Sequence, residues 1–124
     1  MISQLNPIDF PAWRHSMQDH LTDANPASLP IVLDVRETWE LQTASVKADG
    51  FRLIHIPMRE VPSRLAELQQ LQGSAQPIAC LCHHGMRSLQ VASYLAQNGF
   101  TQVVNLQGGI DAWAQQLDRS IPVY

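Results

Sequence analysis

Residues 77–88 of the chain read PIACLCHHGMRS, an apolar run that passes into a short polar stretch with one glycine. The run from Pro77 to Cys82 is apolar throughout and begins at a proline, which is typical of a buried strand. After Gly85, the periodicity of apolar residues over 89–98 predicts a helix. These residues therefore predict a strand, a tight loop and a helix in succession.

The same alternation of short apolar strands and helices extends over the rest of the chain. We predict further strands at 31–35, 52–56 and 103–106 and an edge strand at 2–5. We also predict one helix or two short ones at 7–21, and helices at 63–71 and 110–117. Strands that are apolar throughout and alternate with helices form a parallel sheet covered on both faces. We therefore predict a single α/β domain over residues 1–124, a three-layer sandwich with a central parallel sheet of four to five strands.

Composition and charge exclude several classes of protein. The 124 residues are 45% hydrophobic and 15% charged, which supports a folded core rather than disorder. The net charge is −3 and the basic residues are scattered, so we expect no nucleic-acid partner. No apolar run approaches the ~20 residues of a membrane helix, and the first residues lack the pattern of a signal peptide. Because no run is long enough to span a membrane, we expect no membrane partner. Two cysteines make no disulfide framework, so we expect a cytoplasmic protein.

Arg87 is the only residue with a formal charge among the 43 residues between Glu67 and Asp111. It lies in the loop after Cys82, where backbone N–H groups and a helix N-terminus favour an anion. A thiol in such a place ionises more readily, and the thiolate is the nucleophile. We therefore predict Cys82 as the catalytic nucleophile, with substrate bound by the loop residues His83, His84, Gly85, Met86, Arg87 and Ser88.

Cys80 and the two histidines raise the question of a metal site. Cys80 lies on the same strand face as Cys82, ~6.6 Å back along the strand, which is too far for an unstrained disulfide. We interpret Cys80 as a core residue. Zinc sites use spacings such as C-x2-C, which Cys80, Cys82, His83 and His84 do not have. A metal site is thus the less favoured interpretation, and we expect no metal and no cofactor.

The spacing of Cys82 and Arg87 distinguishes two classes of enzyme. Cysteine-dependent phosphatases use C-x5-R followed by Ser or Thr, whereas only four residues separate Cys82 from Arg87-Ser88 here. The shorter loop encloses a smaller cavity, which suits one sulfur atom on the cysteine better than a phosphoryl group. A small phosphatase or arsenate-reductase-like enzyme is therefore the less favoured alternative.

With these motifs the chain resembles a single-domain rhodanese-like sulfurtransferase from about residue 5 onward. It is especially similar to bacterial members with a CHHGxRS loop and a final DxSxPxY motif. One departure lies at 44–52, where the family often has a GHIPG-like turn and this chain does not. The segments that carry the resemblance are LDVRE at 33–37 with Glu40, HIPM at 55–58, CHHGMRS at 82–88, GF at 99–100, NLQGGI at 105–110 with Trp113, and residues 118–124.

The resemblance implies a double-displacement reaction carried by the enzyme itself. Cys82 would take a sulfane sulfur from a small anionic donor such as thiosulfate, become a persulfide, and pass the sulfur to cyanide, a thiol or a protein partner. It also implies that Asp34 and Arg36 support the site through hydrogen bonds at the neighbouring strand end, with Arg36 paired to Glu40. The alternative for that pair is an exposed ion pair of little energetic worth. A non-catalytic rhodanese-fold binding or regulatory module is the remaining alternative, which the presence of Cys82 and Arg87 disfavours.

Overall fold

The computed structural model describes residues 2–18, 29–72 and 77–124. Its strands are β1 (Ser3–Leu5), β2 (Ile31–Asp34), β3 (Arg52–His55), β4 (Ile78–Leu81) and β5 (Val103–Leu106). Its helices are α1 (Phe10–Gln18), α2 (Thr38–Thr43), α3 (Leu65–Gln72), α4 (Met86–Gln97) and α5 (Gly109–Gln116). The strands form one sheet in the order β1-β5-β4-β2-β3, and every pairing is parallel. The predicted α/β fold and the predicted edge strand are confirmed.

Two apolar clusters cover the two faces of the sheet. Successive residues of a strand point to opposite faces, and β2 and β4 are buried at all of their positions. On one face Leu33 and Cys80 pack with Leu68 and Leu95 from α3 and α4. The other cluster includes Val32, Ala79 and Leu81 with Phe10 and Trp113 from α1 and α5. None of the described helices is long and apolar enough to cross a membrane.

The observed helices differ from the predicted ones in two places. The sequence pattern missed α2, a six-residue helix too short to show periodicity. It is stabilised by a capping box, in which the Glu40 carboxylate accepts the Glu37 backbone N–H at 2.8 Å. α4 begins at Met86, three residues before the predicted start, because Gly85 caps it in a left-handed conformation. Residues 19–21, predicted as the end of the first helix, lie outside the described residues.

The parallel sheet brings three strand ends to one edge. Asp34 at the end of β2 is in register with His55 of β3 and Leu81 of β4. The residues that follow these strands are therefore neighbours in space, although they are far apart in sequence. Functional residues of open parallel sheets lie at this carboxyl edge, and the loop after Cys82 begins there.

Candidate active site

Cys82 is the first residue after β4 and its sulfur is turned back toward its own loop. The residue is 1% exposed, and Sγ accepts the backbone N–H of Gly85 at 3.0 Å. Ser88 Oγ lies 3.2 Å from the same sulfur. Burial alone would fit a packing cysteine, whereas these contacts fit the predicted nucleophile.

Gly85 shapes the loop because no other residue fits its position. Its φ is 98°, in the left-handed region that favours glycine. A Cβ atom there would lie 2.9 Å from Gly108 N and 3.3 Å from Leu106 O. The Gly85 carbonyl accepts from Asn105 Nδ2 at 3.0 Å. The loop is thus packed directly against the backbone that follows β5.

Ser88 and Asn105 form a buried polar pair behind the sulfur. Ser88 Oγ lies 2.6 Å from Asn105 Oδ1, and the Asn105 amide donates to Gln4 and Gly85. A serine hydroxyl carries one proton, so the short contact directs that proton to Asn105 in this structure. Rotation of the hydroxyl would direct it to Cys82 Sγ instead. Sequence analysis did not assign Asn105 to the site, although a polar residue in an apolar strand was the available signal.

The N-terminus of α5 holds the other side of the loop. The backbone N–H of Ile110 donates to Cys82 O at 2.8 Å, and that of Asp111 donates to His83 O at 3.2 Å. Gly109 has a φ of 62°, and a Cβ atom on it would overlap the carbonyl oxygens of Cys82 and His83. Two loop carbonyls are therefore fixed by backbone alone.

Replacing Gly109 with alanine is expected to damage the loop far more than the same change at Gly99. Both glycines have positive φ, but a Cβ atom on Gly99 meets nothing within 4 Å. Gly99→Ala should therefore cost only the left-handed strain, about 1 kcal/mol in the free energy of unfolding. Gly109→Ala adds a clash with backbone and should cost about 2 kcal/mol more. Urea unfolding of the two variants measures the difference, and equal losses would contradict this description of the loop.

Arg87 is bound by a protein carboxylate. Its Nη1 and Nη2 donate to the two carboxylate oxygens of Glu40, each at 2.8 Å. The Arg87 side chain is 34% exposed and that of Glu40 is 4% exposed. The paired Glu40 carboxylate raises the pKa of Arg87. The geometry shows that this side chain joins the loop to α2 through Glu40. The role in substrate binding that sequence analysis predicts for Arg87 stays a prediction.

The predicted pairing of Arg36 with Glu40 is wrong. Arg36 is paired with Asp34, with Nη2 and Oδ2 2.7 Å apart and Nε and Oδ1 2.9 Å apart. Both side chains are essentially unexposed, so this is a buried ion pair and not a surface one. Arg36 reaches the backbone carbonyl of Glu40 at 3.4 Å, while the Glu40 carboxylate faces Arg87. The expectation that Asp34 and Arg36 support the neighbouring strand end agrees with their positions.

Glu40 accepts four hydrogen bonds, which sequence analysis did not foresee. Besides the two from Arg87, its carboxylate accepts the Glu37 N–H at 2.8 Å and the Tyr124 hydroxyl at 2.9 Å. The bonds from Arg87, followed by those from Glu37 and Tyr124, lower the pKa of Glu40 to about 2 against the opposing effect of burial. The Glu40 carboxylate therefore stays negatively charged beside the loop at neutral pH.

The remaining loop residues lie at the outer edge of the site. The rings of His83 and His84 are stacked with centroids 3.8 Å apart. Met86, the first residue of α4, is 69% exposed.

Cys80 is fully buried in the apolar cluster, and burial raises the pKa of its thiol. The two cysteines thus have different surroundings although they share one strand face.

Comparison with known proteins finds one family model and several related chains. Residues 14–116 match the family model of the rhodanese-like domain. A protein of Allochromatium vinosum named sulfurtransferase is 31% identical over 111 residues, which cover 90% of each chain. The rhodanese-like/PpiC domain-containing protein 12 of Arabidopsis thaliana chloroplasts is 36% identical over 93 residues, which cover 75% of this chain. The matched part spans only 30% of that longer relative.

A solved structure shows the same fold. The rhodanese-related protein of Thermoplasma volcanium superposes with a TM-score of 0.67 at 25% sequence identity. The match covers 93% of each chain. The five-stranded parallel sheet and its helices are therefore shared over nearly the whole domain.

Proposed function

The chain belongs to the rhodanese-like family, and we propose that it transfers a sulfane sulfur through a persulfide on Cys82. The Cys82 thiolate attacks the sulfane sulfur of thiosulfate, a new S–S bond forms, and sulfite leaves with the electrons of the broken S–S bond. Cyanide or a thiolate then attacks the outer sulfur, and the Cys82 thiolate is released. The observation that carries the proposal is the Gly85 N–H, which donates to Cys82 Sγ at 3.0 Å.

The loop backbone supports this reaction because the charge stays on sulfur throughout. The outer sulfur of a persulfide is anionic at neutral pH, and N–H groups aimed at it stabilise that charge. We propose that the loop residues from His83 to Ser88 bind the donor and the persulfide through their backbone N–H groups. We propose that the Arg87 guanidinium braces the loop, because both of its Nη atoms donate to the Glu40 carboxylate.

The surrounding carboxylates favour sulfur transfer over phosphate hydrolysis. A phosphatase needs an acid to protonate the leaving group. The carboxylates of Asp34 and Glu40 are each bound by an arginine, so neither is available as that acid. Sulfite leaves thiosulfate as an anion and needs no proton. We propose a cytoplasmic setting for this activity, because Cys80 and Cys82 are free thiols.

Two assays in parallel test the proposed reaction. Thiocyanate formation from thiosulfate and cyanide measures sulfur transfer, and release of an aryl alcohol from an aryl phosphate measures phosphatase activity. We expect steady turnover in the first assay and none above background in the second. Phosphatase turnover that matched or exceeded sulfur transfer would overturn the proposal.

A further inference from the structure

Tyr124 contacts the catalytic loop through both its ring and its hydroxyl group. The ring is stacked on that of His83, with centroids 3.8 Å apart and planes 7° from parallel. The hydroxyl donates to Glu40 Oε1 at 2.9 Å and accepts from Arg36 Nη1 at 3.0 Å. One side chain therefore touches the residue that follows Cys82 and also the carboxylate that holds Arg87.

The stacking contact orients the side chain directly after the nucleophile. The His83 ring lies between the rings of Tyr124 and His84. Its Nε2 atom is buried and has no hydrogen-bond partner within the described part of the chain. Since no hydrogen bond at that atom orients the imidazole, ring stacking has to do so. Loss of the Tyr124 ring would leave the His83 ring stacked on one side only, against His84.

The backbone around His83 is held by α5. The carbonyls of Cys82 and His83 accept N–H groups of Ile110 and Asp111. The Tyr124 ring contacts the His83 side chain. The N-terminus of α5 thus holds the backbone after Cys82, and an aromatic ring holds the side chain of the same segment.

The hydroxyl contact acts on the other end of the loop. Glu40 Oε1 accepts from Arg87 Nη2 at 2.8 Å and from Tyr124 at 2.9 Å. The hydroxyl also joins this carboxylate to Arg36, which is anchored on Asp34. Without the hydroxyl, the Glu40 carboxylate loses its link to that buried ion pair, although Arg36 still reaches the Glu40 backbone carbonyl. The position of Arg87 is then less restricted.

We propose that Tyr124 is a positioning residue that holds the loop at His83 and at Arg87, so that the Gly85 N–H stays aimed at Cys82 Sγ. The role in turnover rests on the proposed function, because it assigns Tyr124 to the geometry of the same sulfur. The residue acts through its neighbours and has no part in bond formation. Nothing in the sequence pattern alone places residue 124 beside the loop at 82–88.

Substitutions at position 124 separate the ring from the hydroxyl. Tyr124→Phe keeps the stacking on His83 and removes the hydroxyl, whereas Tyr124→Leu removes both. Val123→Ala is the matched control, because Val123 is 63% exposed beside Tyr124. Each protein is assayed for kcat/KM with thiosulfate and for the rate of Cys82 alkylation by iodoacetamide across pH 5 to 9. Peptide mapping confirms the labelled cysteine, and thermal melting shows that each variant is folded at the assay temperature.

The proposal predicts a graded loss that a purely structural role would not produce. Tyr124→Leu should lower kcat/KM about tenfold and move the alkylation profile to higher pH, with Tyr124→Phe between it and wild type. Val123→Ala should match wild type. Wild-type alkylation profiles in both Tyr124 variants would overturn the proposal. The alkylation assay needs no sulfur transfer, so an enzyme that formed no thiocyanate would refute the proposed function and leave this test intact.

Discussion

Cys82→Ser is expected to lower thiocyanate formation at least about 1,000-fold, because the variant lacks the nucleophile that carries the sulfur. The serine oxygen would still accept the Gly85 N–H, so the loop should keep its shape. The measurement is steady-state thiocyanate formation at saturating thiosulfate.

Cys80→Ala is the matched control for this change. Cys80 lies two residues back on the same strand face and is fully buried. Burial raises the pKa of its thiol, so it stays protonated at neutral pH. We expect Cys80→Ala to keep kcat/KM within about threefold of wild type, with a loss of stability from the small cavity. An equal loss of activity in both variants would indicate a dithiol site and contradict the assignment to Cys82.

Glu40→Gln is expected to produce the second largest effect, a loss of about 3 kcal/mol in the free energy of unfolding at pH 7. The carboxylate is buried and its pKa falls to about 2 in the folded protein from the ordinary value of 4.5. A depressed pKa adds stability above pH 4.5, and that contribution disappears as the pH falls toward 2. The variant should therefore show a flatter dependence of stability on pH over that range. Urea unfolding at several pH values measures both quantities.

Glu67→Gln provides the control for the loss of a charge at a surface pair. Glu67 is paired with Arg64 at 3.1 Å, but both side chains are exposed. Surface ion pairs of this kind contribute about 0–1 kcal/mol, so the variant should unfold close to wild type. If Glu40→Gln destabilised the protein no more than Glu67→Gln, the described network around Glu40 would be wrong.

Arg87→Ala distinguishes a brace from a direct contact with the donor. If the guanidinium only braces the loop, kcat/KM should fall by the same factor for dianionic thiosulfate and for a neutral sulfur donor. The bidentate contact with Glu40 leads us to expect a ratio of the two losses near one. A much greater loss with thiosulfate would show that the side chain binds the anion, as sequence analysis predicted.

The fold could be read from the sequence because its signals are local. The strands around Cys80 and Val32 are short apolar runs, and such runs between helices indicate a parallel sheet. The position of Cys82 at a strand exit, followed by Gly85, identified the candidate nucleophile for the same reason. Each strand and each tight loop is indicated by residues that lie within a few positions of one another in the sequence.

The contacts that shape the site depend on residues distant in the chain. Glu40 and Arg87 are 47 positions apart, and Tyr124 lies 84 positions from Glu40. A single sequence shows that these residues exist but does not show which of them meet. The sequence therefore suggests Arg36 as the partner of Glu40, because the two are only four positions apart. In the structure Arg36 pairs with Asp34, the last residue of β2. The neighbouring positions of β2 and β4 in the sheet bring Glu40 and Arg87 together.

Intact-mass spectrometry after brief treatment with thiosulfate tests the central claim most directly. The wild-type protein should gain the mass of one sulfur atom, lose it again on addition of cyanide, and carry the added mass on Cys82, as located by fragmentation of the peptide that contains both cysteines. The Cys80→Ala variant should gain the same mass, and the Cys82→Ser variant should gain none. A wild-type protein that turned over thiosulfate without any such adduct, or an adduct on Cys80, would contradict the account.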